Sequence, residues 1–246
     1  MVTRPADCLR SVTLTPDYTN APLASILICC GETRVLCTTS VEERVPPFRL
    51  ASGGGWLTAE YSMLPGATPR RTRRAASRGK LDGRSTEIQR LIGRSLRAAF
   101  DLDKLGPRTL TIDCDVLQAD GGTRTAAITG GYASARLAIE RLIASGMADA
   151  GALGHGVAAV SVGVVRGVPT LDLDYILDSS ADVDMNVVMD DRGSLIEIQG
   201  TAEKAAFSRD ELGTLLDLAE KGISTLRQAQ HDAIQQGLAH RPNADD

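Results

Sequence analysis

Two stretches of this chain gather residue types suited to handling a phosphate ester. In Asp120-Gly121-Gly122-Thr123-Arg124-Thr125, two glycines, a hydroxyl and a guanidinium stand ahead of an alanine-rich run. Glycine lets backbone N–H groups approach an anion, and the first turn of a helix leaves donors unpaired where the dipole favours negative charge. Arg124 adds a planar fork for phosphate oxygens. The same letters also fit a plain strand-to-helix turn capped by Thr123; they are not a P-loop, because the Gly-Lys-Ser/Thr ending is missing. A second cation is needed to hold free phosphate as a nucleophile; Arg84 fits that role, or that of a solvated surface arginine. The other stretch is Asp178-Ser179-Ser180-Ala181-Asp182-Val183-Asp184, with three acids beside a valine-rich segment. Carboxylates near a phosphodiester can hold Mg²⁺ or protonate the leaving oxygen; these also fit turn capping and edge-strand protection. Fully extended, Asp178 and Asp184 would stand roughly 20 Å apart, so joint action requires a bend at Ser179-Ser180.

The elements that must position these groups are readable from periodicity. Apolar, β-branched runs at 25–30 and 35–41, separated by Gly31-Glu32-Thr33, predict a hairpin, and 56–64 a third strand. Ile88, Leu91, Ile92, Leu96 and Ala99 recur at helical spacing, while Arg90, Arg94 and Arg97 mark another face, predicting a helix over 85–100. In 109–118, Ile112, Cys114 and Val116 alternate with Thr111, Asp113 and Asp115, as in a strand. A second helix is expected over 123–148, strands over 158–165, 170–175, 183–189 and 195–199, and a last amphipathic helix over 209–238. Strands and helices mixed with hairpin-type breaks predict an α+β class. One domain over 1–240 and a disordered tail at 241–246 are expected, since no linker or repeat divides the chain.

Composition narrows the chemistry further. His155, His231 and His240 are scattered, which argues against a zinc cluster or a histidine triad and leaves carboxylates and arginines. Five cysteines without a Cys-x-x-Cys pair suit a reduced compartment. No apolar run of about 18 residues occurs and Met1-Val2-Thr3-Arg4-Pro5 lacks the apolar stretch of a secretory signal, so a soluble cytoplasmic protein without a membrane partner is expected. The net charge of −4 is unpromising for a polyanionic partner. Yet Arg70, Arg71, Arg73, Arg74, Arg78, Lys80 and Arg84 follow one another opposed only by Asp82, a local positive field able to bind RNA. With aromatics at only 3%, base stacking is scarce, which favours backbone recognition with weak sequence preference.

Taken together these stretches resemble the ribonuclease PH family over nearly the whole chain. The resemblance is carried by Val41-Glu42-Glu43-Arg44-Val45-Pro46-Pro47-Phe48, by Gly55-Trp56-Leu57-Thr58-Ala59-Glu60-Tyr61-Ser62-Met63-Leu64-Pro65, by the arginine-rich helix opened by Gly83-Arg84-Ser85-Thr86-Glu87, and by Ile112-Asp113-Cys114-Asp115-Val116 running into the glycine turn. It implies a ribosomal-protein-S5-domain-2-like α+β fold and a homohexamer, a trimer of dimers, gathering basic surface around an RNA channel. The implied activity is phosphate-dependent 3′-to-5′ exoribonucleolysis: nucleotides leave the 3′ end of tRNA precursors as nucleoside diphosphates, reversibly, with ribosomal RNA as a further substrate and no DNA. Inorganic phosphate would sit on Arg84, Gly122, Thr123 and Arg124, and a divalent cation such as Mg²⁺ would belong to the catalytic pair Asp178 and Asp184. The chain departs from the family where two glutamates usually precede the first of these aspartates; Ile176 and Leu177 stand there. Val2-Thr3, Cys8, Ser11 and Ala75 are further departures. A catalytically silent, RNA-binding ring subunit is the competing reading, opposed by the joint presence of Arg84, Arg124, Asp178 and Asp184.

Overall fold

The alternation in the first third of the chain folds into a sheet with one buried face. A computed structural model describes residues 4–74, 83–204 and 206–240; Arg78 and the expected tail at 241–246 lie outside them. Strands β1 (Val12–Pro16), β2 (Ala24–Cys30), β3 (Thr33–Glu42), β4 (Trp56–Met63) and β5 (Thr109–Gln118) assemble in the order β1-β2-β3-β5-β4. All pairs are antiparallel except β4 with β5. Parallel neighbours need a crossover. Here it contains the arginine-rich segment and α1 (Gly83–Arg97), which buries Ile88, Leu91, Ile92 and Leu96 and leaves Arg90 and Arg94 outside. Ile112, Cys114 and Val116 of β5 are buried under helix α2 (Thr123–Ala144), while Asp113 and Asp115 occupy the other face.

Helix α2 is apolar nearly all round because it is the central element, packed on β2, β3, β5, β6 and the last helix. Its glycines make this approach possible: a Cβ on Gly130 would fall 2.7 Å from Ile28 Cγ2 and 2.9 Å from Cys37 Sγ. A second sheet follows, β6 (Val157–Val165), β7 (Val168–Leu171), β8 (Val183–Asp190) and β9 (Leu195–Ala202), ordered β7-β6-β8-β9. Every residue of β6 is buried, which explains its near-continuous Val/Ala sequence. The long helix α4 (Arg209–Ala239) covers this sheet and reaches β1; its start is fixed by a capping box in which Ser208 and Glu211 satisfy each other's backbone N–H groups.

Three expectations need correction. The strand expected at 170–175 ends at Leu171, and a short helix α3 (Tyr175–Ser180) follows, because the Asp174 carboxylate accepts from Leu177 N at 2.9 Å and caps it. The helix expected over 85–100 starts at Gly83 and ends at Arg97, and α2 stops at Ala144. Strand β1 has no counterpart among the expected elements. No described helix is long and apolar enough to cross a membrane.

Candidate active site

The glycine turn links β5 to α2 and carries the expected phosphate ligands Gly122 and Thr123. Gly121 and Gly122 adopt left-handed backbone angles, φ 75° and 67°. A Cβ on Gly121 would lie 2.6 Å from the Leu173 carbonyl oxygen, so only glycine lets this turn press against the chain entering α3. That contact brings the start of α2 beside the helix that carries Asp178. No side chain caps the first turn of α2, so its N–H groups keep the dipole's positive end open. The turn is held from behind by Arg10, which donates to Asp120 O (2.5 Å) and, through Nε and Nη2, to both oxygens of Asp172 (3.0 and 2.7 Å). Burial works to raise the Asp172 pKa, but the Arg10 guanidinium, the Arg10 backbone N–H and Arg4 together hold it below the usual carboxylate value. Thr33 closes the turn, donating to Gly121 O (2.7 Å) and accepting from Asp120 N (2.9 Å).

Arg124 leaves the first turn of α2 and donates to Gln199 Oε1 on β9 (2.9 Å), with Glu87 Oε2 of α1 3.5 Å away. Arg84 stands exposed in the first turn of α1. Its charge and that of Arg124 both act on Asp178, Asp184 and the buried Tyr61. The bend required between the two aspartates is the end of α3, where Ala181 N donates to Asp178 O (3.2 Å) before β8 begins. Asp184 points from β8 into an open cleft of about 460 Å³ lined also by Glu87, Arg124, Asn186 and Gln199. Burial, then the neighbouring charge of Asp178, lifts its pKa to about 6, against the downward pull of Arg124 and Arg84. The Asp178 pKa is raised too, by desolvation and Glu203, again opposed by Arg84 and Arg124. Among the described residues, no ion pair closes on either aspartate. Asp182, by contrast, is paired with Lys204 Nζ (2.9 Å) and stands outside the cluster. A slightly larger hollow of about 510 Å³ around Tyr132, Arg136 and Arg227 contains none of these groups.

Residues 8–138 match the profile of domain 1 of the 3′ exoribonuclease family, and 155–222 match that of domain 2. The chain belongs to the 3′ exoribonuclease family. It is similar to "Ribonuclease PH" of Neisseria meningitidis serogroup C (strain FAM18), 55% identical over 95% of this chain and 96% of that protein. Ribonuclease PH of serogroup B is 54% identical over the same shares. Among solved structures, a chain of the Archaeoglobus fulgidus exosome with RNA bound to the active site superposes with a TM-score of 0.75 at 20% identity, covering 92% of this chain and 90% of that one. Its low identity makes this a likeness of fold. In the family's division, domain 1 carries Arg84, the glycine turn and Arg124, and domain 2 carries Asp178 and Asp184. The candidate site is where the two halves meet.

The arginine-rich segment lies between β4 and α1 in the chain. Past β4 the chain is tied to the approach of the glycine turn, Ala119 N donating to Ala67 O (2.8 Å), and it re-enters at α1 one residue before Arg84. Arg70, Arg71, Arg73 and Arg74 are exposed along the described part. Of the departures from the family pattern, Ile176 is 75% exposed and Leu177 packs on Val165, Leu173 and Ala181, while Val2, Thr3 and Ala75 lie outside the described residues. Sequence reasoning missed Arg10, Asp172, Thr33 and Tyr61. Their partners lie between 62 and 162 residues away along the chain, so no local pattern signals them.

Proposed function

We propose that this chain shortens RNA from its 3′ end by phosphorolysis, with the glycine turn, Arg84 and Arg124 holding the attacking phosphate opposite Asp178 and Asp184. The observation that carries the reading is electrostatic: Arg84 of α1 and Arg124 of α2 both act on Asp178 of α3 and Asp184 of β8, and Arg124 lines one cleft with Asp184. Phosphate would rest on the Gly122, Thr123 and Arg124 backbone at the helix N-terminus, with Arg124 and Arg84 engaging its oxygens. One of those oxygens attacks the phosphorus of the last phosphodiester, the P–O3′ bond breaks, and a nucleoside diphosphate leaves an RNA one residue shorter. The reverse step adds a nucleotide from a diphosphate.

Two carboxylates alone would repel both phosphates. No group of three or more His, Cys, Asp or Glu able to hold a metal occurs among the described residues. A pair of carboxylates without ion-pair partners among the described residues nonetheless fits Mg²⁺, which commonly takes one or two carboxylates and completes its shell with water and substrate phosphate. Asp178 and Asp184 would hold it, and when bound it supplies positive charge against the charge developing on O3′. The substrates proposed are tRNA precursors and other RNA with a free 3′ end, led in along Arg70, Arg71, Arg73, Arg74 and Arg78. The similarity to ribonuclease PH supports a homohexamer. The packing of α2 on both sheets supports one folded unit over 1–240, and five unpaired thiols support a cytoplasmic location. The test is turnover of a tRNA precursor in phosphate against a non-nucleophilic buffer. The proposal expects activity only in phosphate; an equal rate in both ends it.

A further inference from the structure

Tyr61 of β4 is 2% exposed, and its hydroxyl lies 2.8 Å from Thr123 Oγ1, the first residue of α2. Thr123 is itself only 9% exposed and follows directly on the two left-handed glycines. The two hydroxyls share one hydrogen bond, and each has one proton to donate. Of the two, a phenol is the stronger acid and the weaker acceptor, because its lone pair is delocalised into the ring. Burial, the largest influence on Tyr61, pushes its pKa up, so at neutral pH it keeps its proton. The favoured polarity therefore runs from Tyr61 O–H to Thr123 Oγ1. The Thr123 proton is left to aim at another acceptor, in the mouth of the turn where Arg84 and Arg124 concentrate positive charge.

We infer that Tyr61 is a positioning residue for the attacking phosphate, fixing the Thr123 hydroxyl as a donor toward it. This rests on the phosphate site proposed above. Without the phenol proton, the Thr123 hydroxyl can rotate and give its proton to another acceptor, and the phosphate loses a charge-assisted hydrogen bond for part of the time. Tyr61→Phe is therefore expected to raise the KM for phosphate about three- to tenfold, the worth of one hydrogen bond of this kind, with the KM for RNA and the kcat at saturating phosphate within about twofold of wild type. Thr123→Val, which keeps the shape and removes the hydroxyl, should raise the phosphate KM at least as much. The double variant should be no worse than Thr123→Val alone, because the two groups act through one proton.

The experiment is steady-state phosphorolysis of a short RNA by the full chain with phosphate and RNA varied separately, and a melting temperature recorded for each variant. If Tyr61→Phe lowers kcat and raises both KM values in step with a fallen melting temperature, Tyr61 is a packing residue and the inference is wrong. A normal phosphate KM in Thr123→Val also overturns it, as do additive effects in the double variant. Wild-type turnover indifferent to phosphate would instead strike the phosphate site itself, so the two failures are distinguishable.

Discussion

Replacing Asp184 by asparagine should make the metal-free protein more stable while removing its activity. Asp184 is held at about 6 in the folded chain against 3.8 for a free carboxyl, chiefly by burial and by the charge of Asp178. Because the folded pKa lies above the unfolded one, the stability contributed by this group is fully present below about pH 4 and is lost as pH rises through about 6. At about 1.36 kcal/mol per pH unit the gap sets a ceiling of about 3 kcal/mol, which partial exposure to solvent reduces to about 1–2 kcal/mol. Each kcal/mol moves Tm by roughly 2–4 °C in a chain of this size, so Asp184→Asn should melt about 2–8 °C above wild type at pH 8. The difference should shrink between pH 6 and pH 4. Thermal unfolding in EDTA across that range checks it, and Mg²⁺ should then raise the Tm of wild type more than that of the variant. A variant no more stable than wild type at pH 8, or a difference that persists at pH 4, would refute the claim that the fold holds this carboxylate at a cost.

Two further outcomes follow from the geometry. Arg10→Met leaves buried Asp172 with only the more distant Arg4 guanidinium (3.6 Å), so stability at neutral pH should fall by up to about 3 kcal/mol in denaturant titration, and by less once pH drops below the ordinary carboxylate range; a loss below about 1 kcal/mol would show that the clamp does not hold the turn. Changing Arg70, Arg71, Arg73 and Arg74 together to alanine should weaken RNA binding and flatten the slope of log K against log salt by about 0.7 for each RNA phosphate that the variant no longer neutralises. An unchanged slope would remove that segment from the RNA path.

Much of the scaffold could be read locally, because its elements each bury one face. Strand β5 and helix α1 announce themselves by two-residue and helical spacing, and α4 by a stripe of leucines and alanines after Ser208-Arg209-Asp210-Glu211. Helix α3 was illegible as a helix because Tyr175-Ile176-Leu177 reads as the continuation of a strand; the usable signal was Asp174, whose carboxylate caps it. Strand β1 is short, half-exposed and ends in proline, so its pattern is faint. The charged residues proposed for the site could be singled out because glycine turns, helix starts and acid pairs are local grammar. Tyr61, Arg10 and Asp172 were not, since each matters only through a partner that the fold delivers from a distant part of the sequence.

The central claim is that inorganic phosphate is the nucleophile at the cleft between Arg84, Arg124 and the two aspartates. Its most direct measurement is the fate of ³²P-labelled phosphate incubated with the protein, Mg²⁺ and an RNA with an unpaired 3′ end. The label should appear as the β-phosphate of nucleoside diphosphates, and Arg124→Ala should suppress its incorporation. Unlabelled nucleoside monophosphates as the product would mean that water attacks instead, and would contradict the account.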